Sequence, residues 1–235
     1  MDEFFNLLKK RTPNFIADFL LDSAESFSYK EEADGRPVLV IPGFLTNDHA
    51  TLLLRSALLS CGFKPYTWNQ GTNIIASDSL INTIHKELVR IYDEHKTPVT
   101  IIGWSMGGFY ARCLAKMSPE LVNSVITLGT PFKQKIDIEE MRKKYTKIGI
   151  DIDDHPICDQ YTNYMGEIPV VPFSSLYSKA DIIAPYQDCL ETETDISENI
   201  EVDTTHFGFV YDPESLRIIL NRCLEHKNTW SKFKL

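Results

Sequence analysis

Residues 99–116 read VTIIGWSMGGFYARCLAK. VTII is a continuous run of the kind that forms strands buried on both faces, and GGFYARCLAK reads as a buried helix, with Cys113 in its packing. Little chain is left between them. A strand that passes this abruptly into a helix forces its central residue, Ser105, into a strained backbone state. Gly103 and Gly107 remove the side chains that would collide there, and Gly108 relieves crowding against a neighbouring strand. Ser105 is thereby raised at a helix N-terminus, where free N–H groups and the helix field favour negative charge. The plainer reading is a helix-capping serine in a tight turn.

The rest of the chain keeps the same rhythm. PVLVIPGF opens a buried strand at Pro37. Residues 48–61 are helical, with Asp48 as N-cap and Gly62 as stop. Residues 63–68 form a short second strand, and 78–95 a long amphipathic helix through Leu80, Ile84, Leu88 and Ile91. Strand three spans 99–104, strand four 122–129, strand five 173–178 and strand six 199–204; a helix beginning at Pro213 closes the chain. Strands that are apolar throughout and alternate with helices indicate an α/β fold, a mostly parallel sheet of about six strands with helices on both faces. Ligands in such sheets sit at the carboxyl ends of the strands. Residues 1–235 read as a single domain. Residues 131–172 are too long for an ordinary crossover and are expected to form a helical cap insertion over the strand ends, or else a peripheral excursion. Residues 13–27 read as a short amphipathic helix docked on the domain.

Charge and cysteine usage narrow the function. Asp and Glu outnumber Lys and Arg by 33 to 24, a net charge of −9, which disfavours nucleic acid and anionic membrane surfaces. No stretch is long and apolar enough for stable membrane insertion, and the N-terminus lacks a secretion signal. The five cysteines are odd in number, widely spaced and without a CxxC pair. Neither a disulfide framework nor a cysteine zinc site is indicated; reduced thiols in a cytoplasmic protein are expected.

A serine hydroxyl is a weak nucleophile and needs a general base, a histidine held by a carboxylate. Of six histidines, His49, His85 and His95 fall on helices, His155 in the cap and His226 in the tail. Only His206, in VDTTHFGF, follows a strand end, where a base can meet a nucleophile on a parallel sheet. In SLYSKADIIAP, Asp181 follows the preceding strand, and the apolar IIAP is expected to dock its loop. Asp188, Glu191 and Glu193 are rivals farther along, although Glu191, Glu193 and Asp195 read as a solvated acidic loop. The chain order Ser105, Asp181, His206 is that of an α/β-hydrolase triad. An acyl-transfer oxyanion needs preorganised donors, each worth roughly 3 kcal/mol in the transition state. The N–H of Met106 is one candidate. The loop IPGFLTN supplies the other, from Phe44 or its rival Leu45; alone, Pro42-Gly43 would be an ordinary turn. Candidate substrate walls are Phe44, Leu45, Trp104, Met106, Phe207 and the cap residues Tyr145, Tyr161 and Tyr164, with Trp104 and Phe109 read first as packing. Asn73 is either a site residue or a turn residue.

The stretches PVLVIPGFLTND, GFKPYTWNQGTN, GWSMGGFYAR, VITLGTPF, LYSKADIIAP, ENIEV and THFGF together resemble the α/β-hydrolase superfamily, and within it a bacterial serine lipase/esterase-like group, over residues 37–209. The resemblance implies Ser105 as nucleophile, His206 as base and Asp181 as its orienting acid. Two motifs depart from common patterns: Pro42-Gly43 stands where many relatives have His-Gly, and Thr205-His206 where the subgroup often has Ser-His. The short stretch ahead of the first strand implies a sheet trimmed from eight strands to about six.

These residues lead to an expected serine esterase or lipase-like carboxylesterase, needing no metal or organic cofactor, acting on a small hydrophobic ester through an acyl-serine intermediate. A thioesterase, amidase or acyltransferase would use the same triad, and a non-catalytic binding protein could keep the fold.

Overall fold

In the computed structural model, residues 33–74, 77–133 and 169–234 are described, with isolated positions between 134 and 168. The N-terminal helix expected at 13–27 and most of the cap expected at 131–172 lie outside the described residues.

Six strands form one sheet: β1 (Pro37–Ile41), β2 (Lys64–Thr67), β3 (Val99–Trp104), β4 (Val122–Leu128), β5 (Phe173–Tyr177) and β6 (Ser197–Glu201). The order is β2-β1-β3-β4-β5-β6, and every neighbouring pair is parallel. The helices are α1 (Leu52–Ser60), α2 (Asp78–His95), α3 (Met106–Met117), the short α4 (Tyr186–Cys189) and α5 (Pro213–Leu224). β1 and β3 are buried along their whole length, as their unbroken apolar runs require. Successive strand residues face opposite sides. Leu39, Ile41 and Ile101 pack with Ile84, Leu88 and Ile91 of α2 and with Tyr110 and Leu114 of α3. Val38, Val40 and Ile102 pack on the other face with Leu54 and Leu58 of α1 and with Leu216 and Ile219 of α5. Each fully buried Leu or Ile contributes about 1.5–3 kcal/mol.

The chain leaves β1 toward β2 on one side and then crosses back to place β3 on the other. The carboxyl ends of β1 and β3 therefore flank the point where strand order reverses, the usual position of a ligand crevice in an open parallel sheet.

Three local expectations change. The helix expected at 48–61 begins as a 3-10 turn, Asp48–Thr51, capped by Asn47, whose side chain accepts from the His49 N–H. Asp48 instead accepts from the N–H groups of Trp68 (3.1 Å) and Asn69 (3.2 Å), tying the loop after β1 to the end of β2. β6 starts at Ser197 rather than 199 and ends at Glu201 rather than 204, because its first residues are polar groups satisfied from outside the strand. Ser197 Oγ bonds Thr192 O, and Glu198 pairs with the buried Arg222 (3.1 Å). Glu191 is not solvated. It is 7% exposed and pairs with Arg112 of α3 at 2.5 Å, while the guanidinium lies over the rings of Phe132 and Phe173. Its partner lies 79 residues away in the chain, so local sequence gives no sign of it.

Among the described residues, no helix is long and apolar enough to cross a membrane.

Removing one member of a buried ion pair strands the other charge. Glu191→Ala is expected to lower stability by about 3 kcal/mol in urea titration. Glu193→Ala, which breaks the exposed pair with Lys232, should change it by less than about 1 kcal/mol. Equal effects would mean that Arg112 does not depend on Glu191.

Candidate active site

Ser105 is the only residue between Val99 and Ala115 that is not buried. It joins β3 to α3 with φ 52° and ψ −120°, a left-handed backbone that a side chain rarely adopts. The strain is held from β4: the Ser105 N–H donates to Leu128 O (2.8 Å), and Thr130 Oγ1 donates to Ser105 O (2.9 Å). The flanking glycines are there for space. A Cβ on Gly107 would strike the backbone carbonyls of Ile41 and Pro42, and one on Gly108 would strike Thr130, as the crowding argument expected.

His206 and Asp181 come from the loops after β6 and β5, and are 5% and 8% exposed. His206 Nδ1 lies 2.7 Å from Asp181 Oδ2. Asp181 Oδ1 accepts from the N–H groups of Ile183 (2.8 Å) and Ala184 (2.9 Å). Backbone donors therefore anchor this loop, not apolar docking: Ile182 is 97% exposed and Ile183 54%. Burial pushes the Asp181 carboxyl upward, but the His206 bond and the two backbone donors outweigh it, and the net shift is downward. Ser178 Oγ donates to Thr204 O (2.5 Å) and locks the two loops together. Below them, Gly129 has φ +54°, and a Cβ there would lie 3.0 Å from Asp181 Oδ2 and 3.2 Å from His206 Nδ1.

Trp104 ties His206 to the nucleophile strand, its Nε1–H donating to His206 O at 2.9 Å. It is 2% exposed and packs against His206 and Phe207, so it is a buried support rather than a substrate wall. Among the described residues, the Ser105 hydroxyl makes no hydrogen bond to the His206 ring. Nucleophile–base contacts are often loose without substrate and tighten in the complex. The other described histidines sit elsewhere: His49 bonds Asn47, His85 bonds Ser118, His95 bonds Tyr66, and His226 is exposed.

The loop after β1 lies against the serine, since a Cβ on Gly43 would be 3.2 Å from Ser105 Cβ. The Leu45 N–H donates to Asn73 O (2.7 Å) and is engaged within the loop. Met106 opens α3, so its N–H has no acceptor within the helix. Its side chain and that of Phe109 belong to the core, and Phe44 packs against the same cluster. Leu45 and Phe207 are 47% and 46% exposed. Tyr145, Tyr161 and Tyr164 lie outside the described residues. Asn73 is neither an exposed turn residue nor a site wall: it is fully buried, with its amide bonded to Pro42 O and Tyr110 Oη. Sequence reasoning also passed over Gly129 and Thr130, whose roles depend on β4 lying beside β3.

Because folding lowers the Asp181 pKa, the unfolded chain takes up that proton first as pH falls. The resulting stabilisation is fully present above the ordinary value of 3.8 and is lost as pH drops through the lower folded value. The stability gap between the wild type and Asp181→Asn should therefore shrink as pH is lowered from about 5 to about 2 in urea titrations. A gap that widens over that range would contradict the sign of the shift.

Comparison with known proteins bears on the fold. A family model described as a PGAP1-like alpha/beta domain matches residues 64–162. No curated protein matches the chain in sequence. Among solved structures, a monoacylglycerol lipase from Paleococcus ferrophilus aligns with TM-score 0.59 at 17% identity, over 81% of this chain and 96% of that one. A lipase-esterase related protein from Clostridium acetobutylicum aligns with TM-score 0.58 at 17% identity, over 81% of this chain and 95% of that one. Lipase B from Aspergillus fumigatus aligns with TM-score 0.61 at 14% identity, over 85% of this chain and 54% of that one. The six-stranded parallel sheet, its flanking helices and these likenesses show that the chain has the α/β-hydrolase fold.

Proposed function

We propose that the chain is a serine hydrolase that cleaves a small hydrophobic carboxylic ester, as esterases and lipases do, through an acyl-serine intermediate. The observation that carries this reading is the buried Asp181–His206 hydrogen bond, 2.7 Å long, on the same sheet edge as the strained, accessible Ser105. An imidazole whose Nδ1–H faces a carboxylate keeps Nε2 as the acceptor for a serine proton. A serine on a helix N-terminus, beside a glycine-bearing loop, has backbone donors within reach of a developing oxyanion.

In the proposed sequence, His206 takes the Ser105 proton as Oγ attacks the ester carbonyl. The N–H groups of Met106 and Phe44 hold the oxyanion. His206 then protonates the departing alkoxide, and the C–O bond to the alcohol breaks. A water that gives its proton to His206 attacks the acyl-serine, the acyl–Oγ bond breaks, His206 returns the proton to Ser105 Oγ and the acid is released. Asp181 stays ionised and orients the ring. The exposed Leu45 and Phe207 offer apolar contact for the acyl or alcohol group. A cytoplasmic location and a single domain bearing the cap belong to the same reading; the described cysteines are free thiols, in keeping with the first.

Active-site labelling with a fluorophosphonate is expected to modify the wild type at Ser105 and to fail with Ser105→Ala. Hydrolysis of p-nitrophenyl esters across an acyl-length series should vanish in Ser105→Ala and His206→Ala and fall about 10⁴-fold in Asp181→Asn. Labelling that persists in folded Ser105→Ala, or turnover indifferent to His206, would sink the proposal.

A further inference from the structure

We propose that Asn73 is the positioning residue that sets the gap between the two oxyanion donors. The inference rests on the serine-hydrolase reading above and deepens it. Asn73 is fully buried, and its four polar groups are all engaged. Nδ2 donates to Pro42 O (2.7 Å), and Oδ1 accepts from the Tyr110 hydroxyl (3.0 Å). Its backbone N–H donates to Thr46 O and its carbonyl accepts from the Leu45 N–H, both at 2.7 Å.

The destinations of these bonds distinguish Asn73 from a simple loop anchor. Three of them hold Pro42, Leu45 and Thr46, which bracket Phe44 on both sides. The fourth holds Tyr110, one helical turn after Met106. One side chain therefore joins the loop carrying the first proposed donor to the helix carrying the second. The loop needs such a clamp. Leu45 has φ 56°, a left-handed state that costs a side-chain-bearing residue roughly 1–2 kcal/mol. Such strain persists where surrounding bonds over-determine it. The Leu45 and Thr46 pairing with Asn73, and the Thr46 hydroxyl donating to Gly43 O (2.7 Å), supply those bonds. The loop is also pressed against α3, since a Cβ on Gly107 would strike Pro42 O. Oxyanion donors act over a narrow range of distance, so loosening this clamp should weaken the transition state and spare the ground state.

The test uses the full chain, Asn73→Ala and Tyr110→Phe. Asn73→Ala removes the carboxamide but keeps the backbone pairing; Tyr110→Phe removes the hydroxyl that links Asn73 to α3 and keeps the buried ring. Each is assayed for ester turnover and for inhibition by a trifluoromethyl ketone, which adds Ser105 Oγ and places a real oxyanion between the donors. The expected result is a fall in kcat of about 10- to 100-fold for Asn73→Ala and a smaller one for Tyr110→Phe. KM should stay within about threefold, and ketone affinity should weaken by the same factor as kcat/KM. A merely structural Asn73 would lower the denaturation midpoint while the folded fraction kept wild-type kcat and ketone affinity; that result overturns the inference. If Asn73→Ala does not fold, Tyr110→Phe decides alone, and wild-type ketone affinity in it overturns the inference. A wild type that neither labels at Ser105 nor turns over esters removes the serine-hydrolase reading and this inference together. Normal wild-type labelling with indifferent variants removes this inference only.

Discussion

The molecule is organised around the turn at Ser105, where β3 becomes α3 with no room to spare. The serine takes a left-handed backbone, the glycine two residues later lies against the carbonyls of Ile41 and Pro42, and the next glycine lies against Thr130. These contacts belong to the end of β1 and to the segments just after β1 and β4, the two strands that flank β3. The turn is therefore possible only when all three strands are in register, and the strain it stores is held by Leu128 and Thr130 from outside the turn.

The same edge collects the other groups by separate routes. Asp181 is held by two backbone N–H donors in its own loop, and His206 by the Asp181 carboxylate on one side and the Trp104 indole on the other. The loop after β1 is held by Asn73 and, through it, by Tyr110. Almost none of these holding contacts faces solvent, so little conformational freedom remains to be lost when a substrate arrives, the condition for electrostatic preorganisation. Leu45, Ile182, Ile183 and Phe207 are exposed apolar residues at this edge, beside the exposed polar Lys179, Asp203 and Thr205 of the same loops.

Much of this is legible in the sequence. The unbroken apolar runs of β1 and β3 announced a parallel sheet covered on both faces, and the Gly-x-Ser-x-Gly turn announced where the chain would be strained. His206 stood out because it alone among the histidines followed a strand end. Other features were not legible, each for a stated cause. Glu191 resembled its solvated neighbours until Arg112 came to meet it. β6 was misplaced because its polar start, Ser197 and Glu198, is satisfied by groups from other segments. Trp104 could be wall or packing, and only the bond to His206 O decided between them.

The sequence by itself determined the class of fold, the strained serine and the chain order of Ser105, Asp181 and His206, because periodicity, glycine spacing and strand ends are local properties of the chain. The tertiary structure alone decided that Asn73 holds the loop after β1, that Gly129 makes room for the Asp181–His206 pair and that the Leu45 N–H is engaged by Asn73 O. Those decisions depend on which atoms from distant segments come within hydrogen-bond distance, and that is set by strand order and register rather than by any neighbour in the chain.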